Sequence, residues 1–467
     1  MIKKDIPSWM IILQCACFSL LYAIWALPET ILMRHTFLIL GALIGFYEIF
    51  HHRKLFFQKN SIPAWLLGSL FLWATLHLIF FSQNFMAQQV EFEGTWKRSA
   101  LAAIFATGFG VALVNRRLDF KIVRLIWVIF YIGLLAPSII YLVKFLLTDL
   151  AASDGWLIPA YWRVNPKEGP FYLHKASYVC FCLPVLAVSL GQIYRNSRLD
   201  RLVNWENIIY LLTIPLVLFV FYSENIKNGM AYGLVLILFF SSLIFIKGVG
   251  KNITVKLTIT ILIILISGIF FNLHFRENNS WKIFAADFKV AIQTDKYSEW
   301  RYGGGHGFPN NEFGEKVSVT NYERIAWGKV GLELILKNPL GYGLIEASFG
   351  NVAVATWADS INLKQTHSGW IDLGLGLGIP GLIIIIGSLI LAIYQLLKLN
   401  IEDINNLCIF KLAVCCTLFT MLLLWCTTEA SQKVLFELLI LWIALGSGLS
   451  LIEHKPSTKV QFNEYKL

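Results

Sequence analysis

The chain has 467 residues, of which 57% are hydrophobic and only 15% charged, and its formal net charge is +10. A soluble domain carries about a quarter charged residues, so this composition excludes an ordinary soluble protein. Runs of about 20 apolar residues cross a bilayer as helices, and the chain contains many such runs. We therefore expect an all-α integral membrane protein. Its positive charge suits an anionic membrane surface and requires no nucleic-acid partner.

Twelve apolar runs predict about 12 transmembrane helices. The runs lie near 9–28, 35–50, 62–81, 98–114, 121–147, 173–194, 206–222, 229–247, 255–273, 366–394, 408–427 and 433–452. The chain thus divides into 1–273 with helices 1–9, a long loop over 274–365, and 366–467 with helices 10–12 and a cytoplasmic tail. The first run follows Lys3 and Lys4 without a convincing cleavage site, so we expect a retained span rather than a signal peptide.

The basic residues predict the orientation of the spans. If the N-terminus lies in the cytoplasm, the inner segments hold 20 Lys and Arg residues and the short outer segments hold nine. Cytoplasmic loops carry the excess of Lys and Arg, so both termini are predicted to be cytoplasmic. The long loop 274–365 then lies on the outer, periplasmic side of an inner membrane.

The eight cysteines are expected to be small apolar fillers rather than disulfide partners or metal ligands. All of them fall within the predicted spans, and none lies in the long loop. They are Cys15, Cys17, Cys180, Cys182, Cys408, Cys415, Cys416 and Cys426. No Asp-x-Asp pair or His/Cys cluster has metal-ligand spacing, so the sequence predicts no metal site and no cofactor.

The long loop 274–365 contains the pattern of an amphipathic helix. Loops of this length are usually functional or disordered. Over 322–338, three charged residues spaced four apart form one stripe, while Arg324 falls on the opposite, less polar face. An arginine on a buried face needs an anion or a carboxylate as partner. A structural ion pair and an anionic ligand explain Arg324 equally well at this point.

His367 stands at the start of the run 366–394, at the predicted water–membrane boundary. Gly374, Gly378 and Gly381 fall roughly on its face of the helix. Small residues let a neighbouring helix approach closely, so we expect the imidazole to face the bundle interior. A histidine there can accept a proton near neutral pH and act as a general base. An interfacial histidine that only caps a helix is the alternative.

Three further polar residues are predicted near the outer ends of spans. Lys227 lies in the turn between the seventh and eighth runs, and Arg163 and His174 flank the start of the sixth. Each of them taken singly is typical of a solvated surface. Together with Arg324 and His367, they indicate an anionic substrate that enters from the outer leaflet. We therefore predict Arg163, His174, Lys227 and Arg324 as substrate-binding residues.

The region 324–381 resembles the signature region of bacterial O-antigen ligases and their polymerase relatives. His367-Ser368 is followed by nine residues and then by Gly-x-x-Gly at 378–381, which is similar to the ligase spacing. The segment 322–343 also resembles the amphipathic helix and the following turn of the family. Twelve predicted spans, with a long loop before the histidine-bearing span, match the family topology.

The resemblance implies transfer of a glycan from undecaprenyl diphosphate to an acceptor hydroxyl on the periplasmic side. It implies that His367 is the general base and that Arg324 holds the diphosphate. Lys227 occupies the place of a second family arginine, and lysine binds phosphate as a point charge without the bidentate fork. Arg163 and Gly169 loosely resemble the family loop before the sixth span.

Together, the residues and the resemblance predict an inverting, metal-independent glycosyltransferase of the bacterial inner membrane. Fixed cations can stabilise the charge of a diphosphate leaving group. An O-antigen ligase with lipid A-core as acceptor is the leading hypothesis. A repeat-unit polymerase and a protein O-oligosaccharyltransferase would share the donor. A transporter of lipid-linked glycans is the non-enzyme alternative, although the sequence shows no obvious internal repeat.

Overall fold

The computed structural model describes residues 7–116, 118–164, 173–199, 201–247, 253–399, 407–428 and 433–453. Within these ranges the protein is all-helical, and the paired extended residues are limited to one isolated bridge between Asn310 and Lys316. The predicted all-α class is therefore confirmed. The predicted cytoplasmic tail from 454 onward lies outside the described residues.

The helices follow one another with short connections through the first half of the chain. They are α1 (Ser8–Ile24), α2 (Ile31–His51), α3 (Ile62–Phe80), α4 (Phe85–Glu91), α5 (Lys97–Asn115), α6 (Phe120–Asp154), α7 (Lys175–Arg198), α8 (Trp205–Ser223), α9 (Lys227–Lys247) and α10 (Ile253–Glu277). The second half contains α11 (Asn279–Lys282), α12 (Phe284–Ala291), α13 (Val319–Lys337), α14 (Ser348–Thr356), α15 (Gly369–Lys398), α16 (Cys408–Leu424) and α17 (Lys433–Leu449).

Nine helical stretches in the described ranges are long and apolar enough to cross a membrane, which indicates a multi-pass membrane protein. They are α2, Lys59–Phe80, Phe85–Asn115, α6, α7, α8, α9, α10 and α15. The other three predicted spans coincide with α1, α16 and α17, each of 17 residues. Twelve spans and the side of the membrane on which each loop lies stay predictions.

α7 lies at the centre of the helix bundle. It packs against α6, α8, α9 and α16, and nearly all of its residues are buried. A helix that is apolar on every side is stable only when neighbours or lipid surround it. α10 is the opposite case, because it contacts mainly α8 and α9 and presents many large apolar side chains outward. Such a surface suits lipid contact.

The predicted loop 274–365 folds as a helical unit with its own core. The unit contains α11 to α14, and its buried cluster includes Trp300, Tyr322, Trp327 and Phe349. The helix predicted over 322–338 is α13, which begins three residues earlier and ends one residue earlier. Its contact with α15 holds the unit on the bundle.

α15 is interrupted at Gly378, where φ is +70° and ψ is −173°. The backbone of the turn that follows α13 replaces the lost helical hydrogen bonds. Tyr342 N–H donates to the Leu375 carbonyl at 2.6 Å, and Ile379 N–H donates to the Pro339 carbonyl at 2.8 Å. Backbone groups inside an apolar bundle must be paired, so the break and the turn stabilise each other.

The expected close approach of a neighbouring helix is found at only one of the three α15 glycines. Gly374 faces Ile335 of α13, whereas Gly378 lies against the backbone of Leu340 in the turn after α13. A Cβ at Gly381 would meet Leu377 of the same helix. Gly374 and Gly378 therefore leave room for α13 and for the turn after it, both of which belong to the loop unit.

Candidate functional site

One cavity of about 410 Å³ brings together three of the predicted site residues, Lys227, Arg324 and His367. Lys227 is the first residue of α9, Arg324 lies in the first half of α13, and His367 precedes α15 by two residues. These positions are far apart in the chain, so the juxtaposition comes from the tertiary fold. The remaining lining includes polar groups as well as apolar side chains such as Trp281 and Phe284.

Two cationic side chains, Lys227 and Arg324, line this cavity. The Lys227 ammonium donates a hydrogen bond to Thr320 Oγ1 at 3.1 Å, which links α9 to the start of α13. The charged groups that repel this ammonium are Arg324, one turn after Thr320, and Lys175 at the start of α7. Cations placed so close together form a site for an anion, because an anion relieves their mutual repulsion.

His367 is held in an unusual backbone conformation with its ring stacked on a buried tryptophan. Its φ is +61°, in the left-handed region that non-glycine residues seldom adopt. The imidazole lies parallel to the Trp327 ring, with centroids 5.4 Å apart and an angle of 15°. Trp327 is itself fixed, since its indole N–H donates to the Trp300 carbonyl at 2.9 Å.

A buried carboxylate, Asp372, fixes the segment around His367. It is 0% exposed and lies in the first turn of α15. Its Oδ1 accepts from the backbone N–H of Thr366 at 2.9 Å, from the Thr366 hydroxyl at 2.9 Å and from the Ser348 hydroxyl at 3.2 Å. Charge-assisted bonds of this kind are the stronger ones, so Asp372 is the main tether of the His367 segment.

Glu323 adds a carboxylate beside the histidine. Burial raises the pKa of Glu323 above its ordinary value, and the neighbouring His367 opposes that rise. The Glu323 carboxyl therefore lies close enough to the His367 imidazole for the two groups to interact electrostatically. The site thus combines a possible base, a carboxyl group beside it and two cations that line the same cavity.

The structure does not bring Arg163 and His174 to this cavity. The exposed Arg163 side chain donates to the Ile158 carbonyl at 2.9 Å, which is a local loop contact. His174 caps α7, where its Nδ1 accepts from the Ala176 N–H at 3.3 Å. Gly169, which was expected to accompany Arg163, lies outside the described residues. A substrate-binding role for Arg163 and His174 therefore gains no support from their positions.

Sequence reasoning missed three residues that shape the site: Asp372, Trp327 as a stacking partner, and Glu323. One available signal was Asp372 itself, since a carboxylate at the seventh position of the apolar run 366–394 is costly and often functional. Only the fold shows that the His367 ring stacks on Trp327. Cys426, expected inside a span, lies beyond the end of α16 and lines the cavity.

Among the residues that the structure describes, no group of three or more His, Cys, Asp or Glu side chains could hold a metal ion. No protein-family model matches the chain, and no curated protein is significantly similar to it.

Proposed function

We propose that this protein is a membrane glycosyltransferase that moves a glycan from undecaprenyl diphosphate to an acceptor hydroxyl on the periplasmic side. Ligation of O-antigen to lipid A-core is the reaction that we favour. The observation that carries the proposal is the single cavity lined by Lys227, Arg324 and His367. The motif resemblance implies related roles for these three residues, and their shared cavity is consistent with those roles.

The chemistry assigns each residue one task. His367 accepts the proton of the acceptor hydroxyl while its oxygen attacks the anomeric carbon of the donor sugar. The bond from that carbon to the diphosphate breaks, and the carrier diphosphate leaves with the electron pair. Lys227 and Arg324 stabilise the negative charge that develops on the leaving group. Attack opposite the leaving group inverts the configuration of the anomeric carbon.

The remaining wall of the cavity suits an amphipathic donor. Ile325, Ile371, Trp281 and Phe284 offer apolar surface beside the cations. A carrier lipid needs such surface for its chain, whereas its diphosphate needs fixed positive charge. The same combination would serve a repeat-unit polymerase or a protein O-oligosaccharyltransferase, so the acceptor is the point that the experiment must decide.

The test replaces His367 with asparagine. Asparagine tolerates the left-handed backbone at φ +61° but cannot act as a general base at neutral pH. We expect the His367→Asn protein to accumulate normally in the membrane and to lose transfer of carrier-linked glycan by about 100-fold or more. The measurement is complementation of a deletion strain, followed by electrophoresis of its lipopolysaccharide.

The glycan pattern of the deletion strain separates the alternatives. Uncapped core with accumulated carrier-linked polymer supports ligation, whereas core bearing one repeat unit indicates a polymerase. Unchanged lipopolysaccharide together with loss of protein glycosylation indicates a protein O-oligosaccharyltransferase. Near-normal surface glycan with His367→Asn would overturn the role of the histidine.

A further inference from the structure

A second cavity, of about 390 Å³, lies at the same end of the bundle as the candidate site. Its walls are mainly apolar and aromatic, formed by Leu27, Ile140, Tyr161 and Trp162. One hydrogen bond shows that the two cavities lie at the same end of the bundle. The hydroxyl of Tyr141, one helical turn before the lysine of this cavity, donates to Glu224 in the turn that leads to Lys227, at 3.0 Å.

Lys144 is the basic group in the wall of this cavity. The residue is only 9% exposed, and no carboxylate of the described ranges pairs with its ammonium. A charged side chain at membrane depth is costly, so such lysines are retained where an anion or another polar group interacts with them. Because Lys144 lines the cavity, an anion bound there would pair with its ammonium.

Glu29 lines the same cavity but does not pair with Lys144. It is exposed and stands in the turn between α1 and α2, with a left-handed φ of +60°. The Thr30 hydroxyl fixes this turn by donating to the Leu27 carbonyl at 2.7 Å. The cavity thus has a positive and a negative group in its wall, together with apolar side chains.

The depth of Lys144 places it near lipid headgroups. It lies about 24 residues past Phe120, or about 36 Å along α6 at 1.5 Å per residue. The hydrocarbon core of a bilayer is about 30 Å thick, so a helix that enters near Phe120 has left the core by Lys144. Tyr161 and Trp162 are the aromatic types that favour this interface.

We propose that this cavity binds the headgroup of a membrane phospholipid that carries a phosphate and a primary amine, as in phosphatidylethanolamine. The phosphate binds the Lys144 ammonium, the amine donates to the Glu29 carboxylate, and an acyl chain follows the wall at Leu27 and Ile140. A quaternary amine cannot donate hydrogen bonds, and a glycerol headgroup has no positive charge for Glu29. This site does not depend on the proposed glycosyl transfer.

The experiment uses the full-length protein, purified in detergent and depleted of lipid. Binding of phosphatidylethanolamine, phosphatidylglycerol and phosphatidylcholine is measured by native mass spectrometry and by the rise in melting temperature. We expect phosphatidylethanolamine to bind most tightly. Lys144→Met should weaken that binding by at least about tenfold, because it removes a charge-assisted contact. Lys97→Met, which removes an exposed lysine at the start of α5, should leave it unchanged.

Lys144→Met is a mild substitution for the fold, because methionine fills the buried volume without the charge. The lipid-depleted variant should melt no lower than the wild type, so loss of lipid binding is separable from misfolding. Glu29→Gln should retain phospholipid binding but lose the preference for phosphatidylethanolamine over phosphatidylglycerol. Equal binding by the wild type and Lys144→Met would overturn the proposal. Binding of phosphatidylglycerol or phosphatidylcholine by the wild type as tight as that of phosphatidylethanolamine would overturn it too.

Discussion

The backbone conformation and the ring orientation of His367 are held by its neighbours. A non-glycine residue with φ at +61° is strained by about 1–3 kcal/mol, and the strain persists only where neighbours fix it. Asp372 fixes it through hydrogen bonds to the neighbouring Thr366, and Trp327 fixes it by stacking on the imidazole ring. The ring is therefore pre-oriented toward the cavity, as a catalytic group must be to avoid reorganisation during the reaction.

The roles of two cations on α13 can be separated by substitution. Arg324 lines the cavity, whereas Lys337 is exposed in the last turn of the same helix. Arg324→Ala should weaken use of the carrier-linked donor by roughly 10- to 150-fold, which corresponds to a lost charge-assisted contact of about 1.5–3 kcal/mol. Lys337→Ala should stay within about twofold of the wild type. The measurement is initial transfer rate by purified protein at subsaturating donor, and similar losses in both variants would contradict a role for Arg324 in donor binding.

Among the elements, the interrupted helix α15 decides where the loop unit lies. Its N-terminal part contains Asp372, which holds the His367 segment. At its break, α15 forms hydrogen bonds with the turn that follows α13, the helix of Arg324. The segments that carry His367 and Arg324 are thus coupled through backbone hydrogen bonds rather than through side chains alone. In a continuous α15, the carbonyls of Leu375 and Gly376 would accept hydrogen bonds from their own helix. The N–H groups of the turn would then have no acceptor there.

Substitution of Gly378 should break this coupling. At φ +70° and ψ −173° only glycine is comfortable, and a Cβ would lie 2.3 Å from the Leu340 carbonyl carbon. Gly378→Ala should therefore destabilise the fold by at least about 1–3 kcal/mol and lower transfer activity. Thermal unfolding in detergent, together with the activity assay, provides the measurement.

Gly387 is the matched control for Gly378, since it lies in the same helix with regular geometry. Its Cβ would meet Leu66 at 3.7 Å, an ordinary contact. Gly387→Ala should be neutral or stabilising by up to about 1 kcal/mol, because alanine favours a helix interior. Equal melting temperatures for Gly378→Ala and Gly387→Ala would show that the break is not required.

At the scale of the whole molecule, the bundle presents two distinct ends. Cys408 begins α16, and Cys426 lies just beyond its other end, where it lines the cavity. Cys426 is exposed and Cys408 is half-buried, whereas the other six cysteines are buried. These two thiols can therefore report the side of the membrane on which the cavity opens.

Labelling by a membrane-impermeant thiol reagent should distinguish the two ends. In spheroplasts, a variant that retains only Cys426 should be modified from the periplasmic side, and one that retains only Cys408 should react only after the membrane is opened. The reason is the predicted orientation, in which both termini are cytoplasmic. Immunoblotting after mass-tag labelling gives the result. The reverse pattern would place the cavity in the cytoplasm and contradict a periplasmic acceptor.

The sequence by itself determined the class of the protein and the positions of its long helices. Apolar runs of membrane length form helices in lipid, because every backbone group must be paired within the segment. The helical wheel likewise placed Arg324 on the inward face of α13, since a regular helix converts spacing into direction. Periodicity is a local property, and local properties can be predicted from the chain alone.

Only the tertiary structure decided which polar residues share a site. It joined Lys227, Arg324 and His367 in one cavity, left Arg163 and His174 outside it, and added the unforeseen Glu323 and the Asp372 tether. The break in α15 was equally hidden, because a Gly-x-x-Gly spacing is compatible with either a continuous or an interrupted helix. These features depend on contacts between segments distant in sequence, and spacing along the chain contains no measure of such distances.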